Sequence, residues 1–415
     1  MPQSPAIAVI LPVWNGMRDL PACLAALERQ QGVAFDTYVV DNASDDGSAG
    51  FVESNYPDVR LIRNETNLGF AAGCNRGLRA AQGYAVLVLL NQDTEVRPDW
   101  LARLVAPLEH DASIGIAGSK ALFPDRTIQH AGGEINRHGV TRHIGYRQPD
   151  RGQFAYLREV DFVTGSALAI TRAAYEAIGD LDEGFTPAYY EDVDWCWRAR
   201  QAGFRVVYVP DSVLVHKEAS VLLDKSYDAE LLAHRNRLRF VLKHWSLDQL
   251  VDEFMPAEQR WLNSLGWQGE RIIAAMHRAY LHQLMHLGDI VAARQQSFPH
   301  SAGEIDGLAA VLLGLRAVYP LRPANLDDPV PAPSGPAQAA PATGLADGLR
   351  RRFPRLSLAG LLAPITRPLA RLNNQQQLAH VLVEYIRENN REIADLAREL
   401  DALKRRLPPD TETDG

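Results

Sequence analysis

A chain of 415 residues with 46% hydrophobic residues and a net charge of -8 has material for a sizeable core, in one large domain with additions or in two to three domains. The acidic balance and the lack of any long basic run exclude a protein whose main business is gripping nucleic-acid phosphates. Three widely spaced cysteines, Cys23, Cys74 and Cys196, with no C-x-x-C pair, argue against a disulfide framework or a cysteine zinc site and fit a reducing compartment.

The first sixteen residues, MPQSPAIAVILPVWNG, carry no basic leader and only a short apolar run, so they read as a first buried strand rather than a signal peptide. No stretch approaches the roughly 20 apolar residues of a membrane helix. The expected location is therefore cytoplasmic, with any membrane contact peripheral and at the inner face. The runs IAVILPV (7–13), TYVVDN (37–42) and AVLVLLNQD (85–93) are too continuous for one-sided sheets and suit parallel strands covered on both faces. Helix-patterned segments near 17–31, 48–55 and 69–81 alternate with them, which predicts a doubly wound, mostly parallel α/β sheet. Ligands of such sheets sit beyond the carboxyl ends of the strands. Here those ends carry Pro12 and Asn15, Asp41 and Asn42, and Asn91 and Asp93.

Residues 114–170 read as short strands and loops of a second subregion. A helix is expected from about Glu191 to a stop at Gly203, then a strand near 205–209 with a polar tail reaching His216. Residues 226–318 read as helical. The Pro/Ala-dominated stretch 320–348 is expected to be a linker. Beyond it, Leu382, Ile386, Asn389, Ile393, Leu396, Leu400, Leu403 and Leu407 alternate spacings of four and three, the seam of a coiled coil over about 375–407. That helix would make the chain a homo-oligomer or join it to another protein, unless it docks on its own domain.

Four segments could carry chemistry. VVDNASDDGS is either a turn or a loop in which Asp41 accepts a hydrogen bond from a nucleotide base. NETNLGFAAGCNRGL places Asn67, Gly69, Gly73, Asn75 and Gly77 around a helix start, which either favours an anion or packs closely through small residues. It lacks the Walker lysine and the dinucleotide fingerprint, so neither an ATPase nor a nicotinamide enzyme is indicated. Asp93 can start a loop or coordinate Mg²⁺ or Mn²⁺ with diphosphate oxygens. Glu191, Asp192 and Asp194 suit a helix start, yet three acids within four residues repel one another unless one is a general base or lies near a cation. His216 could complete a metal or diphosphate site or lie at the surface. Trp195 and Trp197 could stack on a sugar or belong to the core.

The ordered set PVWNG, VVDNASDDGS, NLGFAAGCNRGL, LLNQDTEV, FVTGSALAITRAAYEAIGDLDEGF, YYEDVDWCWRARQAGFRVVYVP and HKEAS resembles the family 2 glycosyltransferases of the GT-A fold. Within them it is similar to the bacterial rhamnosyltransferase-like branch that builds surface polysaccharides such as O-antigen. The resemblance covers about residues 5–245. It implies that Pro12, Asn15, Asp41, Asn67 and Asn75 line the nucleotide pocket. Asp93 would be the second acid of the D-x-D motif, His216 its companion on metal and diphosphate, and Asp192 the catalytic base of the E-D motif. Gly165, Ser166 and Glu191 would face the acceptor. Asn91 replaces the first acid of D-x-D. EQRW at 258–261 lacks the spacing of the processive synthases' Q-x-x-R-W, which favours single addition.

The organisation expected is a GT-A domain over 1–245, a helical extension over 246–319, the linker, and a C-terminal region over 349–415. The expected activity is metal-dependent, inverting transfer of a sugar from a nucleotide donor to a saccharide or lipid-linked saccharide. The donor guessed from the branch is dTDP-rhamnose, with a UDP-sugar as the other candidate. The competing readings are a nucleotidyltransferase on a similar sheet and a non-catalytic assembly protein acting through its coiled coil. The first would need a Gly-rich entry loop with a basic residue, where PVWNGMRDL offers only Arg18; the second is disfavoured because Asp93 and Asp192 are both present.

Overall fold

The computed structural model describes residues 6–217, 227–264 and 270–295, together with 298, 307–309, 311, 312 and 315. The 320–348 stretch and the heptads at 375–407 lie outside the described residues. No helix among the described residues is long and apolar enough to cross a membrane.

The amino-terminal half is built from β1 (Ile7–Val13), β2 (Phe35–Asp41), β3 (Arg60–Arg63) and β4 (Val86–Leu90), joined by helices α1 (Leu20–Glu28), α2 (Ser48–Asn55) and α3 (Phe70–Ala80). β1 pairs in parallel with both β2 and β4, and β3 adds in parallel to β2. The continuous apolar runs have the expected cause. Ala8 and Ile10 of β1 face one core cluster while Val9, Leu11 and Val13 face another, so both sides of the sheet are covered.

The chain continues through β5 (Thr94–Val96), α4 (Trp100–His110), β6 (Ile114–Leu122), β7 (Ile128–His130), β8 (Gly133–Ile135), β9 (Thr141–His143), β10 (Arg158–Glu159) and β11 (Ala167–Thr171). Then come α5 (Arg172–Ile178), α6 (Glu191–Gln201), β12 (Arg205–His216) and α7 (Tyr227–His244). The main sheet runs β10-β12-β6-β11-β4-β1-β2-β3, with β11 antiparallel between β4 and β6. β8 and β9 form a separate hairpin. The order turns about β1 and β4, so the crevice beyond their carboxyl ends is the natural ligand site.

One expectation is corrected. The tail leading to His216 is strand: β12 shifts register between Val209 and Val213, and its second half pairs antiparallel with β5, His216 opposite Thr94. Farther on, α7 packs against the helix Glu270–Met285. A buried Arg237–Glu258 ion pair, which also takes the Tyr280 hydroxyl at 3.1 Å, ties the helical layer together.

Candidate active site

A cleft of about 780 Å³ opens at the carboxyl ends of β1 and β4. Pro12 and Val13 end β1 with Trp14 just beyond it on one side, and Asn91, Gln92 and Asp93 follow β4. Gln92 clasps the two strand ends, its Oε1 accepting the Trp14 N–H at 2.9 Å and its Nε2 donating to the Trp14 carbonyl at 3.1 Å. The sequence reading missed Gln92 because an amide beside an aspartate carries no signal of its partner 78 residues away.

Asp93 and His216 meet in this cleft, Oδ1 to Nε2 at 3.1 Å. Their spacing is set by the ladder of β5 and β12, which begins where the Lys217 N–H donates to the Asp93 carbonyl at 3.0 Å. The other imidazole nitrogen, Nδ1, lies 2.7 Å from Gln129 Oε1, a contact that fixes the ring's orientation. Asn91 Oδ1 is buried nearby with no partner. One carboxylate, one imidazole and an amide oxygen make a partial donor set that fits a divalent cation taking its remaining ligands from a diphosphate. Among the described residues, no group of three or more His, Cys, Asp or Glu is gathered to hold a metal unaided.

Opposite them, α6 brings Glu191 and Asp192 to the cleft by its amino-terminal turn. Asp192 Oδ2 accepts the Gly165 N–H at 2.8 Å and Oδ1 the Val193 N–H at 2.8 Å. Burial raises the Asp192 carboxyl above the usual range, and those two N–H groups offset the shift only in part. Burial, and then the neighbouring Asp192, push Glu191 well above its ordinary value, and its Oε2 has no partner. The turn before them is strained: Tyr189 and Tyr190 have φ of 81° and 73°, a region bulky side chains rarely enter. Asn236 of α7 compensates, its Nδ2 reaching the carbonyls of Phe185, Ala188 and Tyr189 at 3.1, 2.9 and 2.8 Å. The Tyr190 hydroxyl donates to the Gly139 carbonyl at 2.8 Å.

The third acid of the cluster belongs elsewhere. Asp194 is fully buried beneath the turn, bonded to Arg198 Nε at 2.8 Å, Lys243 Nζ at 2.7 Å and His244 Nε2 at 2.7 Å. Burial alone would raise its carboxyl; Lys243, Arg198 and His244 outweigh burial and hold it well below the usual range. Trp195 donates to the Gly179 carbonyl from a fully buried position, and Trp197 stacks on Trp245, so both belong to the core.

The remaining candidates divide. Pro12, Asn67, Gly165 and Ser166 line the cleft, with Asn67 Oδ1 accepting the Gly69 N–H at 2.9 Å. Asn75 does not: it is fully buried, donating to the Leu181 carbonyl and Glu183 and accepting the Leu181 N–H, so it ties α3 to the 181–183 loop. Asn15 and Asp41 are not among the lining residues either. Asn15 shapes the neighbouring loop through Ser44 and Asp45, and Asp41 accepts the Ser44 N–H at 3.3 Å while its Oδ1 stays buried without a partner. The glycines of α3 serve packing: a Cβ on Gly77 would stand 2.4 Å from Ile10 Cγ2, and one on Gly73 would stand 2.6 Å from Asn42 Nδ2.

Residues 8–179 match Glycosyl transferase family 2. Over that stretch the chain is similar to this family. Its mixed α/β sheet, with Asp93 placed just past the end of β4 over the cleft, is the kind of sheet that the GT-A resemblance implied. An uncharacterized protein of Sinorhizobium fredii, y4gI, is 28% identical over 263 residues, 61% of this chain and 29% of that protein. The O-antigen biosynthesis protein RfbC of Myxococcus xanthus is 28% identical over 228 residues, 52% of this chain and 18% of RfbC. An N-acetylglucosaminyl-diphospho-decaprenol L-rhamnosyltransferase of Mycobacterium tuberculosis is 26% identical, covering 51% of this chain and 76% of that enzyme. The chain thus spans less than a third of the first two relatives. The solved structure of GalNAc-T7 with UDP, GalNAc and Mn²⁺ overlaps at a TM-score of 0.48 and 17% identity, over 63% of this chain and 51% of that one. Likeness at this level says nothing of ligands.

Proposed function

We propose that this chain is an inverting glycosyltransferase that moves a sugar from a nucleoside-diphosphate donor to a hydroxyl of a saccharide or lipid-linked saccharide in surface polysaccharide synthesis. The observation that carries the reading is a single cleft holding Asp93 with His216 on one side and Asp192 on the other. Asp192 removes the proton from the acceptor hydroxyl as its oxygen attacks the anomeric carbon from the face opposite the diphosphate. One base and one displacement give inversion. The raised carboxyl suits this task, because a base of higher pKa draws the proton more strongly at neutral pH. Glu191 orients the acceptor or Asp192. Mg²⁺ or Mn²⁺, when bound at Asp93 and His216, supplies charge neutralisation for the leaving diphosphate. Pro12 and Asn67 lie on the nucleotide side and Ser166 on the acceptor side.

The Mycobacterium tuberculosis relative's name supports L-rhamnose as the sugar and a lipid diphosphate-linked saccharide as the acceptor. The Myxococcus xanthus relative's name supports O-antigen synthesis. A panel of sugar nucleotides, dTDP-rhamnose and UDP-sugars included, scored by donor hydrolysis with and without Mn²⁺, tests the reading. Asp93→Ala is expected to lose the Mn²⁺-dependent part of nucleotide binding in a calorimetric titration. No hydrolysis across the panel, or a titration unchanged by the substitution, counts against it.

A further inference from the structure

We propose that the cleft wall built from β7, β9 and the segment entering β11 is a subsite for a neutral pyranose of the acceptor, seated against the rings of His143 and Tyr146, with the buried rings of His130 and Phe162 packed behind them. This rests on the transferase reading. Four cleft-lining rings are gathered there, His130, His143, Tyr146 and Phe162. Their centroids lie 4.9 Å apart for His130 and His143, 5.5 Å for His143 and Phe162, 5.7 Å for His130 and Phe162, and 6.3 Å for His143 and Tyr146. Space for Phe162 is made by Gly133, where a Cβ would stand 2.1 Å from the ring.

A sugar ring has apolar C–H faces and a rim of hydroxyls, so its site needs an aromatic surface beside placed polar groups. The polar groups are here and unused: His130 Nε2, Gln129 Nε2 and Ser166 Oγ are buried without partners on residues of the same cleft. Buried polar atoms of this kind are rare in native proteins, and a ligand's hydroxyls would satisfy them. The wall also adjoins the proposed chemistry, since Phe162 leads into the loop whose Gly165 N–H holds Asp192.

Charge selects the class of sugar. His130 and His143 hydrogen-bond through Nδ1 at 2.8 Å, and burial pushes both imidazoles below their ordinary value, so they are neutral at pH 7. Arg142, the arginine among the cleft-lining residues, is engaged by Glu134 at 3.1 Å through Nε, and Arg147, 5.7 Å from the Tyr146 ring centroid, is paired with Asp125 at 3.9 Å. A carboxylate on the sugar would meet no unpaired positive charge from these groups, which favours a neutral hexose over a uronic acid.

The test uses the full chain, the sugar nucleotide that the hydrolysis panel selects, and octyl glycosides of neutral hexoses as acceptor probes. Tyr146 is 49% exposed, so its truncation spares the core. Tyr146→Ala is expected to raise the acceptor KM at least tenfold and move the donor KM less than twofold, whereas Tyr146→Phe, which keeps the ring, stays near the parent. His143→Ala should repeat the acceptor effect. An unchanged acceptor KM in both truncations overturns the subsite and leaves the transferase reading standing. So does equal use of an octyl uronide, or a chain that hydrolyses donor but uses no neutral octyl glycoside. No donor turnover by the unaltered chain overturns both.

Discussion

Replacing Asp194 by asparagine removes one buried negative charge and leaves Glu191 and Asp192 in place. The carboxylate is shared by Arg198, Lys243 and His244, all within 2.8 Å. Breaking a buried pair by removing one partner costs about 3–5 kcal/mol, because the other charge stays in the interior. Two features place Asp194→Asn at the low end. Lys243 keeps Asp182 Oδ2 at 2.9 Å, and Arg198 keeps the carbonyls of Ile178 and Asp180. The expected loss is about 3 kcal/mol, a large part of the roughly 5–15 kcal/mol that holds a domain together. At about 2–4 °C per kcal/mol, the melting temperature should fall by roughly 6–12 °C. The pH dependence has a definite sign. The folded carboxyl titrates well below its unfolded value of about 3.9, so its contribution is present above that value and is lost as pH falls through the folded pKa. The parent should therefore lose stability in acid more steeply than the variant. Scanning fluorimetry from pH 7 down to pH 3 reads both effects. A loss under about 1 kcal/mol at pH 7, or parallel acid limbs, would refute the assignment of Asp194 to the brace beneath the turn.

Asp192→Asn should lower transfer by roughly 10²–10⁴ while retaining sugar-nucleotide binding, read by initial rates beside calorimetry; turnover within tenfold of the parent would remove Asp192 from the base role. Because burial raises this carboxyl, the acid limb of the parent's rate profile should lie above the ordinary carboxylate range. A limb near pH 4 would contradict that. Gly77→Ala separates packing from helix propensity. Propensity alone predicts a gain of about 0.5–1 kcal/mol, whereas a Cβ 2.4 Å from Ile10 and 3.0 Å from Val40 predicts a loss of about 1–3 kcal/mol, and urea denaturation decides the sign.

The alternation of apolar runs and helix patterns was enough to read β1, β2, β4 and the helices between them, because each of these strands buries both faces. β3 escaped notice, since Arg60–Arg63 is an edge strand with exposed ends and no apolar run. The second half of β12 was mistaken for a tail because its partner β5 is only three residues long and its polar end reads as loop. At the site, the position of Asp93 in the cleft could be read from its place after an apolar strand. The division among Glu191, Asp192 and Asp194 could not, since what separates them is Lys243 and His244, some fifty residues downstream on a helix whose face the periodicity did not orient. Asn75 shows the opposite error: the motif marked it as a pocket residue, yet its amide is consumed by the Leu181 backbone.

The dependence of the α6 turn on α7 has a practical consequence for dissecting this chain. The family match ends at residue 179, before Asp192, before His216, and before the helix that supplies Asn236, Lys243 and His244. A shortened chain cut at that limit keeps the strand end bearing Asp93 and the aromatic wall but loses His216 beside it and Glu191 and Asp192 across the cleft. The smallest fragment retaining both sides, and the helix clamping them, extends through His244, so alignment limits are a poor guide to where the protein can be divided.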